Sequence, residues 1–305
     1  MKDNTAAYNW GIFWSFVSAF LWSTTFIGGR YLLKDRSVDP VTLSLFRFAG
    51  GGGLLLALGI FLFGGKMFAL KAKDWLGMGV LSLFGIVGMS LFLFWGQQYT
   101  GAINTSMLIT AGPIFIMLGG VFIGEKITRW GILSVCMGLI GSLLVIGVID
   151  AKGFNYEPSG FKGDFLVLCS AFCWSMYSIL SKSIVNRIGG YIYTTWTMLL
   201  GSAVMLGITI FNSDAVVLPK TSNHWLVIVY LAIFPTGLAF FAYNEAMDRI
   251  KLSLLNVMQY LTPLFTVAFA FVMLGEKMTL LSMGGAALII SGVALPSLAK
   301  YIRRF

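Results

Sequence analysis

The chain has 305 residues, of which 58% are hydrophobic and 11% are charged, with a mean hydropathy of +0.86 and a formal net charge of +9. Soluble domains carry about 25% charged residues, so this composition excludes an ordinary water-soluble protein and indicates one that uses lipid as its solvent. The basic residues are scattered through short loops and form no stripe with interleaved aromatic residues, so we expect no nucleic-acid partner. The three cysteines lie inside apolar runs and there is one histidine, so we expect neither a metal site nor a cofactor.

Ten apolar stretches are long enough to cross the hydrocarbon core as helices, which takes roughly 20 residues each. They are numbered spans 1 to 10 and lie at about residues 10–33, 40–63, 74–97, 102–123, 130–149, 163–183, 190–211, 224–246, 252–274 and 279–299. Period-2 alternation is absent from these runs, which argues against strands. Span 1 is followed by no cleavage-type site, and we expect it to be retained as a first span.

The Lys and Arg residues predict the orientation of the chain. Thirteen of the 21 fall on the side that holds both termini, six fall on the opposite side, and Arg30 and Arg47 lie within spans. Because cytoplasmic loops carry the excess of basic residues, we expect both termini in the cytoplasm and the protein in a bacterial inner membrane.

A short segment divides the chain into two related halves. Gly-Glu-Lys-Ile-Thr at residues 124–128 recurs as Gly-Glu-Lys-Met-Thr at residues 275–279, and Trp22-Ser23 recurs as Trp174-Ser175. Each copy of the five-residue segment follows an apolar run that contains one proline, Pro113 or Pro263. Similarity at a fixed spacing of half the chain indicates an internal duplication.

The duplication has a geometric consequence, because each half contains five spans. An odd number requires the second half to enter the membrane upside down, which is a recurring transporter architecture with its site at the midplane. A polar, Gly- and Pro-containing linker from Asp150 to about Lys162 separates the halves. We therefore predict an all-α polytopic membrane protein with ten transmembrane helices in two inverted five-helix repeats, residues 1–150 and 151–305.

The repeated five-residue segment has the chemistry of a tight helix-to-helix corner. A glycine can end one helix in the left-handed conformation, and the threonine can cap the next. Glu125 and Glu276 then lie at equivalent corners, where we interpret them as structural, with ion or proton coupling as the alternative. Pro113 and Pro263 remove a backbone donor within their spans, so we predict hinge-like kinks there.

Arg47 is the most informative charge, because it lies about 11 Å along the helix from Pro40 at 1.5 Å per residue. An ionisable residue inside a span is a functional hypothesis by default. It either binds the carboxylate of an anionic or zwitterionic substrate, or it pairs with protein groups and holds span 2 in place.

Aromatic and amide side chains within the apolar runs form the second group of candidates. Such groups face the interior of a bundle, since lipid offers them no partner, although interface anchoring and helix-to-helix bonding are alternatives. The residues that we predict to line a substrate cavity with Arg47 are Trp22, Gln98, Tyr99, Asn104, Trp174, Tyr177, Tyr243, Asn244 and Gln259. Glu245 is a candidate coupling carboxylate, but pairing with Arg249 at i+4 is the simpler account.

These features resemble the drug/metabolite transporter superfamily and, within it, the EamA-type ten-helix permeases. The resemblance rests on the inverted halves, the Trp-Ser pair in each half, Arg47 in span 2, a proline in spans 4 and 9, and the Gly-Glu that follows each. It implies a secondary carrier that works by alternating access, with a central cavity lined mainly by spans 1, 3, 4, 6, 8 and 9. Family members export amino acids and other metabolites or import small solutes.

We therefore predict a transporter, and not an enzyme, that moves a small organic metabolite such as an amino acid across the inner membrane. Efflux is preferred from the resemblance, and an importer of a cationic or other small solute is the alternative. A non-transporting membrane sensor is less favoured because the chain has no soluble signalling domain. The expected partners are the substrate, the lipid bilayer and protons as a coupling ion, with the chain acting as a monomer or homodimer.

Overall fold

The computed structural model describes residues 2–34, 38–96, 98–99, 108–109, 111–121, 124, 127–146, 149–150, 153–154, 161–211, 218–219, 221–274 and 280–302. Helices account for most of these residues. The helices are α1 Lys2–Lys34, α2 Pro40–Phe63, α3 Ala72–Ser82, α4 Met89–Gly96, α5 Gly112–Gly120, α6 Arg129–Ile146, α7 Phe161–Ile188, α8 Gly190–Phe211, α9 Ser222–Leu231, α10 Ala239–Arg249, α11 Leu252–Met258, α12 Leu261–Leu274 and α13 Leu280–Ile302. Each of the ten predicted spans contains helix.

Five helical stretches of the described chain are both long and apolar enough to cross a membrane. They are Pro40–Met67, Ala72–Gly96, Phe161–Ile188, Gly190–Phe211 and Ser222–Arg249. Spans 2 and 7 have the predicted bounds, whereas span 1 starts eight residues earlier than the hydropathy indicates, at Lys2. Span 2 begins where it does because Asp39 accepts hydrogen bonds from the backbone N–H groups of Val41 and Thr42, at 2.9 and 3.0 Å, and Pro40 occupies the first turn.

Spans 3 and 8 each contain one wide turn of π-helix. The π turns are Leu83–Gly88, which joins α3 to α4, and Ala232–Leu238, which joins α9 to α10 and contains Pro235. They occupy equivalent places in the two halves of the chain. Short π segments inside α-helices frequently mark functional sites.

Spans 4 and 9 differ from the sequence prediction of a kinked but continuous helix. Span 9 is broken at Gln259 and Tyr260, which form a turn between α11 and α12, and α5 of span 4 starts only at Gly112. Pro113 and Pro263 therefore lie in the first turn of a new helix, where the missing proline N–H has no helical partner to lose. In span 9 the predicted hinge is a break in the helix before the proline, and in the described part of span 4 Ala111 is a turn residue between the helical residues 108–109 and α5. Backbone carbonyl groups at such interruptions are freed from helical hydrogen bonding.

The packing of the helices repeats between the two halves. Span 1 packs on spans 8 and 9, as span 6 packs on spans 3 and 4, while span 2 packs on span 7 and span 5 on span 10. Exchanging each span with its counterpart five spans away leaves this pattern unchanged, which is the signature of a pseudo-twofold axis. Gly141 and Gly292, at equivalent positions, bring spans 5 and 10 together: a Cβ on Gly141 would lie 2.8 Å from the Gly285 carbonyl oxygen, and one on Gly292 3.2 Å from that of Ser134.

The connections between spans agree with the predicted corner and modify the predicted linker. Gly124 has φ +82°, the left-handed conformation expected at the corner, and Thr128 Oγ1 caps span 5 by accepting from Gly131 N at 3.0 Å. Glu125 and the second corner, residues 275–279 with Glu276, lie outside the described residues. The linker contains a two-residue antiparallel ribbon, Ile149–Asp150 paired with Gly153–Phe154, which the sequence did not predict.

Candidate functional site

Trp22 and Trp174, the two repeat-related tryptophans, meet at the centre of the bundle. Their ring centroids lie 5.2 Å apart with the rings perpendicular, and both side chains are partly buried. Trp174 lies at the middle of α7, so the contact is near half the depth of span 6. The two rings touch each other, so in this conformation no open cavity separates them.

Three further aromatic rings complete this central cluster. Phe240 contacts both tryptophans at centroid distances of 5.4 and 5.6 Å, and Tyr243 contacts them at 5.3 and 4.9 Å. Tyr177 stacks on Trp174 at 5.4 Å. Edge-to-face and stacked pairs at 4.5–7 Å contribute about 0.5–1.5 kcal/mol each beyond their burial. The central cluster, Trp22, Trp174, Tyr177, Phe240 and Tyr243, therefore joins spans 1, 6 and 8 across the boundary between the repeats.

Arg47 lies next to this cluster on span 2 and is only 5% exposed. Its guanidinium carbon lies 5.8 Å from the ring centroids of both Phe48 and Phe94, and Phe48 in turn lies 5.5 Å from Phe240. Its Nε donates a hydrogen bond to Thr236 Oγ1 at 3.1 Å. Within the described part of the chain, this is the one hydrogen bond that the Arg47 guanidinium makes, and no carboxylate pairs with it.

Thr236 belongs to the π turn of span 8, near the middle of the Ser222–Arg249 stretch. Span 2 reaches this turn because Gly51 has no side chain: a Cβ there would lie 2.7 Å from the Ala232 carbonyl oxygen and 3.0 Å from Gly237 N. Gly50, Gly51 and Gly52 thus allow close helix packing, and α2 continues through the glycine run without unwinding. The contact fixes the depth of Arg47 relative to the π turn.

A layer of buried hydroxyl and amide groups supports the central cluster. The Tyr243 hydroxyl lies 2.9 Å from Ser178 Oγ and donates to Asn256 Oδ1 at 3.1 Å. Asn244 Nδ2 lies within hydrogen-bond distance of Tyr177 Oη at 3.2 Å, Thr194 Oγ1 at 2.9 Å and the Phe240 carbonyl oxygen at 3.1 Å.

Tyr177, Tyr243 and Asn244 are fully buried. These bonds connect spans 6, 7, 8 and 9, so the layer holds the aromatic rings in place from one side. It consists of residues of the second half only.

The other predicted cavity residues are more scattered. Gln259 lies at the break in span 9 and donates from Nε2 to Ser18 Oγ of span 1 at 3.2 Å. Gln98 and Tyr99 lie in an exposed turn after α4, where Tyr99 is 47% exposed and its ring faces the Lys162 ammonium at 4.5 Å. The structure therefore does not bring Gln98 and Tyr99 to the central cluster. Asn104 lies outside the described residues.

Among the described residues, Glu245 and Asp74 are carboxylates near span ends that form ion pairs. Glu245 Oε2 pairs with Arg249 Nη1 at 2.5 Å, which agrees with the simpler of the two sequence interpretations. Asp74, at the start of span 3, accepts hydrogen bonds from Arg187 Nε at 2.9 Å and from its Nη2, at the end of span 6. The Asp74 side chain is 3% exposed. This pair joins the first half of the chain to the second.

Sequence reasoning did not select Phe48, Phe240, Thr236 or Asp74. The two phenylalanines are among 26 in an apolar chain, and a threonine in a span ordinarily bonds its own helix. A carboxylate at the first turn of a span usually contacts water. The glycine run that begins one turn after Arg47 and includes Gly51 is the sequence signal that could have revealed the close approach of span 8 to span 2.

The sequence profile of the EamA-like transporter family matches residues 9–147 and, a second time, residues 161–298. The chain belongs to this family. It is therefore a multi-pass membrane protein built from two repeats, and a transporter of small solutes, which confirms the predicted fold class and the family resemblance. The double match also confirms the internal duplication that the repeated corner segment indicates.

Several named relatives of this EamA-like transporter extend over most of its length. An uncharacterized transporter of Archaeoglobus fulgidus is 27% identical over 93% of the chain and 96% of its own length. The aromatic amino acid exporter YddG of Ancylobacter novellus is 26% identical over 82% and 84%. A probable terminal-alkyne amino-acid exporter of Streptantibioticus cattleyicolor is 28% identical over 74% of each chain.

One solved crystal structure has the same fold as this EamA-like transporter. The two structures superpose with a TM-score of 0.80 over 97% of each chain at 24% identity. The ten-span arrangement is thus found in an experimentally determined protein of distant sequence.

Proposed function

We propose that this transporter exports a small amphipathic solute with a carboxylate group, such as an amino acid with an apolar or aromatic side chain. The observation that carries the proposal is Arg47, which is 5% exposed and has one hydrogen bond to Thr236 and no carboxylate partner in the described chain. A guanidinium has five N–H donors and binds a carboxylate through two parallel bonds. A buried charge in a span requires such a partner, and the substrate supplies it.

The central aromatic cluster supplies the apolar part of the proposed site. Phe48 and Phe240 connect the Arg47 guanidinium to the rings of Trp22 and Trp174 through contacts of 5.4 to 5.8 Å. We propose that Trp22 and Trp174 separate on opening and contact the substrate side chain. Two relatives named as amino-acid exporters support both the substrate class and the direction.

The other residues that the sequence predicts have different roles in this proposal. Tyr177, Tyr243 and Asn244 position the cluster through the buried hydrogen bonds described above. Gln259 holds the broken part of span 9 against span 1 at Ser18. Glu245 is held by Arg249, so we assign it to the helix end and not to proton coupling. Asn104 remains a predicted contact.

We propose alternating access between repeats 1–150 and 151–305, with the π turns of spans 3 and 8 and the breaks of spans 4 and 9 as the flexible points. Their equivalent positions in the two halves support a motion that exchanges the conformations of the halves. We further propose that the transporter lies in a bacterial plasma membrane with both termini in the cytoplasm. Protons are the proposed coupling ion, and the protein works as a monomer or homodimer.

Flux into proteoliposomes tests the proposed substrate with matched solutes, such as phenylalanine and phenethylamine, which lacks the carboxylate. Charge-assisted hydrogen bonds contribute about 1.5–3 kcal/mol, so Arg47→Gln should reduce phenylalanine transport about 10- to 100-fold. Arg129→Gln, which changes an exposed arginine at the start of α6, is the control and should transport normally. Equal transport of both solutes, or normal phenylalanine flux in Arg47→Gln, would refute the carboxylate assignment, and preferred flux of the amine would favour a cationic substrate.

A further inference from the structure

A groove opens at the surface of the helix bundle, and its lining includes no residue of the central cluster. Its volume is about 600 Å³, and it runs between span 1, the short helix α11 and span 10. Its inner wall is apolar and includes Phe13, Phe16, Leu254, Met258 and Ala294. Phe13 and Phe16 are 48% and 46% exposed, so the groove is open to the surroundings of the bundle.

The groove is amphipathic along its length. Tyr8 and Asn9 line the end near the N-terminus of α1, whereas Phe16 lines the other end. Eight residues from Tyr8 to Phe16 correspond to about 12 Å along a helix at 1.5 Å per residue. Half of a hydrocarbon core of about 30 Å is about 15 Å, so the groove extends through most of the depth of one leaflet.

A basic residue, Lys251, lies just outside the groove near its polar end, because Ile250, the residue before it, packs against Gly11 of α1, two positions after Asn9. Lys251 is exposed at the position that precedes α11, and it lies three residues before Leu254 and seven before Met258, on the same helix face. Within the described chain Lys251 has no ion-pair partner. The neighbouring Arg249 is neutralised by Glu245, and Asp248 is exposed on the preceding helix.

We propose that this groove binds one acyl chain of an anionic glycerophospholipid, with the lipid phosphate at Lys251. The apolar wall matches the chain, and the polar end matches the glycerol and phosphate groups. Because Lys251 lies beside the headgroup of the lipid held in the groove, it should favour an anionic over a zwitterionic headgroup there about fivefold, whereas a lysine far from the groove should not affect this one bound lipid. The bound chain packs against α11, which is the shorter part of the broken span 9, so the lipid supports a helix that ends after seven residues.

Native mass spectrometry of the full-length transporter, equilibrated with phosphatidylglycerol and phosphatidylcholine of the same chain length, tests this site. The wild type should retain phosphatidylglycerol preferentially, and Lys251→Gln should reduce that preference about fivefold. Lys71→Gln is the matched control, since Lys71 is also exposed and precedes a helix, α3, elsewhere in the chain. It should behave as the wild type.

A second variant tests the acyl chain independently of the phosphate. Ala294→Phe narrows the groove from span 10 and should reduce retention of both lipids, measured on protein that still elutes as a single folded species. Equal lipid preference in Lys251→Gln and Lys71→Gln would overturn the phosphate assignment. If Ala294→Phe retains as much lipid as the wild type, the groove is not the binding site. If Ala294→Phe does not fold, Phe13→Ala provides the same test, because it removes part of the groove wall and should also reduce retention of both lipids.

Discussion

The contact between Gly51 of span 2 and the π turn of span 8 predicts a large difference between two alanine substitutions in one helix. A Cβ at Gly51 would lie 2.7 Å from the Ala232 carbonyl oxygen and 3.0 Å from Gly237 N, whereas a Cβ at Gly53 would meet nothing within 4 Å. The atoms near Gly51 belong to the backbone, so they cannot rotate away as the end of a side chain can. Gly51→Ala must therefore move span 2 or distort the π turn.

The two substitutions share one favourable term and differ in one unfavourable term. Replacing glycine by alanine inside a helix stabilises it by about 1 kcal/mol, and this applies to both positions. Overpacking costs about 1–3 kcal/mol and applies only to Gly51→Ala. We expect Gly53→Ala to be more stable than the wild type by up to about 1 kcal/mol, and Gly51→Ala to be less stable than Gly53→Ala by about 1–3 kcal/mol.

Thermal unfolding of the two variants in the same detergent measures this difference. At about 2 °C per kcal/mol for a chain larger than 150 residues, Tm should differ by about 2–6 °C. Gly51→Ala should also lose transport, because Arg47 lies one turn before Gly51 and bonds Thr236 within the displaced π turn. Equal Tm values would show that spans 2 and 8 do not approach as closely as described, and the reasoning from Gly51 to the position of Arg47 would fail.

Substitutions at three further contacts test other parts of the structure. Tyr243→Phe removes the hydroxyl that donates to span 9 and should lower the free energy of unfolding by about 1 kcal/mol, as measured by chemical denaturation. Asp74→Asn and Arg187→Gln should each destabilise the protein and should not be additive in a double-mutant cycle, since each removes the partner of the other; additive effects would contradict the ion pair. Gly85→Ala would place a methyl group 2.1 Å from a ring carbon of Tyr177, so Tm and substrate flux should both fall. A Gly85→Ala, Tyr177→Leu double variant should regain part of the lost Tm, because the clash is removed while the Tyr177 bond to Asn244 is lost.

Much of the fold follows from the sequence because the relevant signals extend over many residues. Span 2 has its predicted bounds, since Pro40 and Asp39 mark the start and an apolar run marks the rest. The duplication is visible in short segments that occur twice at the same spacing. The break at Gln259 and Tyr260 could not be predicted in this way, because a few polar residues within a span-length apolar run do not reveal where backbone hydrogen bonds stop. The π turns are hidden for the same reason.

The residues of the candidate site were predictable only where a side chain is unusual for its place in the sequence. Arg47 stands out because a charge is costly in a span, and Trp22 and Trp174 stand out because they repeat. Thr236 became meaningful only when the fold placed it beside Arg47. Gln98 and Tyr99 were selected for their polarity, but the end of α4 places them in an exposed turn beyond the apolar run. The sequence does not distinguish a polar residue inside a span end from one just past it.

The two π turns give spans 3 and 8 a property that a regular α-helix lacks. In each π turn the backbone hydrogen bonds join residues five apart and not four, so the turn contains one additional residue. If the π turn moves along the span, every residue that it passes rotates by about 100° around the helix axis and shifts by about 1.5 Å along it. Thr236 lies within the π turn of span 8, and Phe240 lies just after it. Movement of the π turn would therefore rotate Thr236 away from Arg47 and Phe240 away from the tryptophans together, while both ends of the span stay fixed in the membrane.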